Sequence, residues 1–122
     1  MTSRRAARRN ALFALYKWDL TGTLDLEDDA DAYTRETVAA VQARASELDA
    51  RITASADDWT ADRLGVVERN VLRIAVHELE SGAVPPEVAI DEAVTLAKRY
   101  ASEDAGRLVN GILARVAREE AA

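Results

Sequence analysis

The apolar side chains of this chain recur at the spacing of a helix. In the second predicted helix they stand three or four positions apart, at Val38, Val41, Ala45, Leu48 and Ile52. That spacing places them on one face, which must pack against a partner. The stretch that starts at Leu64 is apolar on two faces and predicts a helix buried on several sides. We find no alternation of the kind that indicates a strand, so the pattern predicts an all-α protein.

Residues with known capping preferences divide the pattern into helices. Ser3 is suited to begin a first helix that runs to about Leu20, and Gly22 is placed to end it. The segment TGTLDLEDD that follows is a short acidic linker, and a second helix starts near Asp29. The segment SADDW, residues 55–59, indicates a break followed by a new helix start.

The second half of the chain contains three further helices. The central one ends at Gly82 and the two prolines that follow, and the next, VAIDEAVTLAKRYA, buries Ile90 and Tyr100. Ser102 caps the last helix. At 122 residues the length fits one domain. We therefore expect residues 1–122 to form a compact bundle of five principal helices, which leaves room for short additional ones.

Charge is distributed unevenly along the chain. The net charge is -6, yet residues 1–20 carry +4, largely from four arginines. On a helix, Arg5, Arg9 and Tyr16 fall within about 40° of one another, and Arg4 and Arg8 form the adjacent row. We therefore expect this arginine-rich end to stand in solvent. Guanidinium groups bind phosphate oxygens and an aromatic ring stacks on an unpaired base, a combination that favours single-stranded RNA.

The residues alone allow two other interpretations of this helix. The arginines can form a solvated face without a ligand, or the helix can dock an acidic protein partner in a module that never meets RNA. Positive charge at a helix N-terminus opposes the helix dipole at a small cost. That cost slightly favours a functional reason for the arginines.

The residues needed for catalysis and metal binding are scarce. There is no cysteine, and His77 is the only histidine. The pair His77-Glu78 begins like the zinc motif HExxH, but Ser81 stands where the second histidine belongs. No phosphate-binding glycine loop and no nucleophile motif occurs, and no apolar run reaches the ~20 residues of a membrane span. We expect a cytoplasmic protein without enzymatic activity, metal or cofactor.

Three segments resemble one known family. SRRAARRNALFALYKWDLTG resembles the first helix of the NusB family, and RNVLRIAVHEL, VPPEVAIDEAVTLAKRY and EDAGRLVNGIL resemble its C-terminal half. The resemblance implies an all-helical transcription antitermination factor. Such a protein binds a short single-stranded element, boxA, in transcripts of ribosomal RNA operons. It acts with the small-subunit ribosomal protein NusE, with RNA polymerase and with other Nus factors.

The resemblance also implies which residues form the site. The first three arginines of the chain match the family's arginine-rich RNA-binding start, and Tyr16 matches the tyrosine of its ALY motif. Arg73 and Glu78 lie in its LRxAxxEL segment. We expect Tyr16, Arg73 and Glu78 near a surface shared by RNA and NusE.

The chain departs from the family at two points. The linker TGTLDLEDD is shorter than in many members, and His77 stands where tyrosine is more usual. A NusB-like domain also begins certain ribosomal RNA cytosine methyltransferases. Because 122 residues leave no room for a Rossmann-type catalytic domain, we expect no such activity here. The alternative is that the chain is the detached RNA-binding domain of such an enzyme.

Overall fold

The computed structural model describes residues 2–57 and 61–121, which form α-helices and no strand. Their bounds are α1 Arg4–Thr21, α2 Ala32–Ala54, α3 Val66–Ser81, α4 Pro86–Tyr100 and α5 Glu103–Ala121, with a short 3₁₀ turn at Ala61–Arg63. The prediction of an all-α fold with five principal helices is confirmed for these residues.

Most helix ends lie where the capping residues place them. The Ser3 side chain accepts a hydrogen bond from the backbone N–H of Ala6 at 3.0 Å. Gly22 ends α1 with φ 78°, a left-handed conformation that glycine adopts without strain. Gly82 ends α3 in the same way, and Ser102 accepts a bond from the N–H of Ala105 at the start of α5. Local sequence therefore fixes these boundaries.

The region before α2 differs from the prediction. α2 begins at Ala32 rather than near Asp29, because Asp31 adopts an extended backbone and takes the N-cap position. The linker between α1 and α2 contains no helix. The break expected at residues 55–59 falls partly on residues 58–60, which lie outside the described residues.

The hydrophobic core is built around α3. This helix packs against α1, α2, α4 and α5, and its Leu72 and Val76 are fully enclosed. Leu15 of α1 and Leu113 of α5 meet it from two sides. Ile90 and Tyr100, which the sequence predicts as buried, are only half-buried. The core thus holds α1 by one side and leaves its other side to solvent.

Candidate nucleic-acid interface

Three arginines of α1 are exposed, as the sequence predicts. Arg4, Arg5 and Arg9 stand on the first two turns of the helix. Arg5 is paired with Glu92 of α4, with its Nε and Nη2 atoms 3.1 and 3.0 Å from the carboxylate oxygens. Arg9 has no ion pair or hydrogen bond to a side chain in residues 2–57 and 61–121. This end of α1 therefore presents guanidinium groups to solvent, one of them partly neutralised.

Arg8 does not stand in solvent, and that expectation is wrong. It is 3% exposed and donates from Nε to both oxygens of Glu78 at 3.0 Å, while Nη2 lies 2.9 Å from Oε2. Burial lowers the pKa of the Arg8 guanidinium, but the hydrogen bond and the charge of Glu78 outweigh this and raise it. Arg8 is one or two helical turns from Ala11, Leu12 and Leu15, so it shares their buried face. Its guanidinium is already bound to a carboxylate.

Tyr33 of α2 joins this buried pair and the exposed end of α1. Its hydroxyl donates a hydrogen bond to Glu78 Oε2, and the Cζ atom of Arg4 lies 4.0 Å from the centre of its ring. Burial, followed by the hydrogen bond to Glu78, raises the pKa of Tyr33 to about 12. The phenol therefore keeps its proton at neutral pH and holds the Glu78 carboxylate together with Arg8.

Arg73 lies in a second polar cluster rather than at the surface. It is 6% exposed and binds Asp49 through two hydrogen bonds of 2.7 Å, and its Nη1 lies 3.2 Å from Asp19. Arg69 and Asn70 also donate to Asp19. Burial raises the pKa of Asp19, but these donors and the charges of Arg69 and Arg73 together lower it. The cluster joins α1, α2 and α3.

The expectation that Arg73 and Glu78 lie at a shared surface is therefore corrected. Glu78 is 2% exposed and its carboxylate is enclosed by Arg8 and Tyr33. Both side chains are bound within the protein, beneath α1 and α2. Their positions indicate that they fix the first helix on α3.

Tyr16 is exposed, as predicted, and borders a shallow apolar groove. The groove is lined by Leu12, Phe13, Tyr16, Val67 and Tyr100. Phe13, half-exposed, meets the ring of Tyr100 edge-on with the ring centres 5.1 Å apart. Since a helix rises 1.5 Å per residue, Tyr16 lies roughly 10 Å beyond Arg9 along α1. At 100° per residue, Arg9, Phe13 and Tyr16 fall within about 60° of one another, so the groove lies on the same side of α1 as Arg9.

Sequence reasoning missed several members of this region. Phe13 stands four positions after Arg9, so helical spacing already placed it beside the exposed arginine row. Arg8 precedes the apolar row of α1, which signals its burial in the same way. Tyr33 and Tyr100 reach the site from other helices, and no spacing within α1 could reveal them.

The described residues contain neither a candidate metal site nor a membrane-spanning helix. Across residues 2–57 and 61–121, no group of three or more His, Cys, Asp or Glu side chains is arranged to hold a metal ion. No helix in those residues is long and apolar enough to cross a membrane.

Comparisons with known proteins agree on one family. Residues 5–118 match the model of the NusB family. The transcription antitermination protein NusB of Solibacter usitatus is 36% identical over 98% of this chain and 91% of its own length. A crystal form of Thermotoga maritima NusB superposes with a TM-score of 0.87, at 36% identity over 97% of this chain and 92% of that one. A structure of the antitermination factors NusB and NusE in complex with double-stranded RNA gives a TM-score of 0.82, at 33% identity over 95% and 96% of the two chains.

Proposed function

This chain belongs to the NusB family, and from that premise we propose that it is a transcription antitermination factor. It binds the single-stranded boxA element of ribosomal RNA operon transcripts together with NusE. It acts in the cytoplasm, on the elongating RNA polymerase and with other Nus factors, and it catalyses no reaction.

The exposed arginine end of α1 is the observation that carries this proposal. Arg4, Arg5 and Arg9 are exposed on the first two turns of α1, in a chain whose net charge is -6. An acidic protein that binds a polyanion needs a local surface of the opposite sign. Guanidinium groups bind phosphate oxygens through paired N–H donors. These three side chains are our proposed phosphate ligands.

Tyr16 and the aromatic groove supply a second kind of contact. An exposed ring can stack on any unpaired base, and a groove of this kind also accepts an apolar side chain of a protein partner. Because the groove lies on the same side of α1 as Arg9, we expect RNA and NusE to meet there. We propose that Tyr16 lies at their junction.

Arg8, Glu78 and Arg73 contribute indirectly. Their side chains are enclosed and bound to one another or to carboxylates of neighbouring helices. They fix α1 on α2 and α3, so the exposed arginines keep a defined position. Substituting one of these residues should therefore change the affinity of a partner that binds α1, although the partner does not touch their charged groups.

Direct RNA binding tests the proposal. The affinity of the protein is measured for a boxA-like RNA, for a scrambled RNA of the same length and for the boxA-like strand annealed to its complement, each with and without NusE. We expect preference for the unscrambled single strand and tighter binding when NusE is present, because two ligands that cooperate raise each other's affinity equally. Binding of NusE without any binding of RNA would identify a protein-interaction module. Equal affinity for all three RNAs would remove the boxA assignment.

A further inference from the structure

Arg4 differs from the neighbouring arginines in what restrains it. Arg5 is tied to Glu92 and Arg8 to Glu78, whereas Arg4 has no carboxylate partner in the part of the chain that the structure describes. The first turn of α1 contains no acidic residue. An arginine at this end is repelled by the helix dipole and, when free, samples many side-chain conformations. The ring of Tyr33 is the group that Arg4 contacts.

This ring is itself held firmly. Tyr33 is half-buried, and its hydroxyl donates to the carboxylate that also binds Arg8. The pair of Arg8 and Glu78 is enclosed between α1 and α3. Tyr33 therefore offers Arg4 a surface that is fixed relative to the helix from which Arg4 projects.

A guanidinium above an aromatic ring keeps its donors available. The N–H groups of arginine lie in the guanidinium plane, and stacking on a ring occupies the face of that plane. The 4.0 Å between Arg4 Cζ and the Tyr33 ring centre is a separation typical of such stacking. The donors along its edge stay free to bind a phosphate. Ordering this side chain before RNA arrives also removes part of the entropy cost of binding.

We propose that Tyr33 is a positioning residue for RNA binding, whose ring holds the Arg4 guanidinium so that its N–H edge faces an RNA phosphate. The inference rests on the proposed function, since it assigns Arg4 to the RNA. It adds a residue of α2 that neither the motif match nor the charge pattern indicates.

A double-mutant cycle tests the coupling of the two residues. The affinity for boxA-like RNA is measured for the wild type, Tyr33→Leu, Arg4→Ala and the double variant. We expect Tyr33→Leu to weaken binding about two- to fivefold, the size of an exposed cation–π contact. Arg4→Ala should then have a smaller effect in the Tyr33→Leu protein than in the wild type. Arg9→Ala, which removes an unpaired arginine of the same helix, is the matched control, and its effect should multiply with that of Tyr33→Leu.

A spectroscopic measurement tests the contact without RNA. The Nε–Hε signal of Arg4, assigned through Arg4→Ala, should show the ring-current shift of a proton above an aromatic ring. Tyr33→Phe keeps the ring but loses the hydroxyl that ties it to Glu78, so it should reduce the shift and the RNA affinity less than Tyr33→Leu does. Tyr33→Leu should abolish the shift. If Tyr33→Leu does not fold, the inference is still tested by the presence or absence of the shift in the wild type and by the RNA affinity of Tyr33→Phe.

The outcomes separate the inference from the proposed function. Failure of the wild type to bind RNA overturns the proposed function, and with it the role of Tyr33. RNA binding in which the effects of Tyr33→Leu and Arg4→Ala simply multiply overturns the role of Tyr33 alone. A wild-type Arg4 signal without a ring-current shift does the same.

Discussion

Arg8 of α1 and Glu78 of α3 form an ion pair that is closed to solvent, with side chains 4% and 3% exposed. The two residues are 70 positions apart in the chain. Tyr33 of α2 donates to the same carboxylate, so three helices meet at one charged group. The position of the arginine end of α1 depends on this contact.

Removing one partner of the pair should destabilise the fold strongly. Arg8→Ala leaves the Glu78 carboxylate buried with Tyr33 as its remaining donor, and an uncompensated buried charge costs about 3–5 kcal/mol. We expect the free energy of unfolding, measured with urea, to fall by that order. Arg9→Ala is the matched control, because its exposed side chain should change stability by no more than about 0.5 kcal/mol. A loss below about 1 kcal/mol for Arg8→Ala would show that the pair does not hold α1.

The sequence was sufficient for the helices because their signals are local. Ser3, Gly22 and Ser102 cap helices through contacts within a few residues, and the apolar period needs only neighbouring positions. The site was harder to predict. Whether Arg8 faces solvent depends on α3 packing over it, and a charged residue is ordinarily read as exposed. The contact of Arg4 with Tyr33 joins two helices across a linker, which no helical spacing describes.

Asp19 should make stability dependent on acid pH. Burial raises the pKa of its carboxyl, but hydrogen bonds from Arg69 and Asn70 and the charges of Arg69 and Arg73 outweigh this and hold the pKa below its ordinary value of 3.8. The stability it contributes is therefore fully present above pH 3.8 and is lost as the pH falls through the lower pKa of the folded state. Asp19→Asn should be less stable than the wild type at neutral pH.

The measurement is the free energy of unfolding in urea as a function of pH. The difference between the wild type and Asp19→Asn should shrink as the pH falls below 3.8. Asp91→Asn, which removes a carboxylate that is exposed on α4, is the control for the loss of one negative charge. Curves for the wild type and Asp19→Asn that run parallel would contradict the assigned pKa shift.

Glu92 should weaken RNA binding by competing for Arg5. Its carboxylate accepts hydrogen bonds from two nitrogens of Arg5, so a phosphate must displace it or share the guanidinium. Glu92→Gln removes the competing charge and should tighten RNA binding by roughly two- to fivefold, the scale of an exposed ion pair. Asp91→Asn, which changes net charge equally at the neighbouring position, should have a smaller effect. Equal gains for both variants would point to general repulsion rather than to competition at Arg5.

The exposed arginines should set the salt dependence of RNA binding. For a single strand, log K falls against log salt with a slope of about −0.7 per neutralised phosphate, because bound cations are released. Replacing Arg4, Arg5 and Arg9 together by alanine should therefore remove up to about two units of slope. Arg8 is left out because it is buried, and its loss would destabilise the fold rather than remove a phosphate contact. The matched control replaces Arg107, Arg115 and Arg118 of α5, which changes net charge by the same amount and should leave the slope nearly unchanged.

Melting curves of both variants should resemble that of the wild type. If the α1 variant binds boxA-like RNA with the affinity and slope of the wild type, these arginines form a solvated face and RNA binds elsewhere.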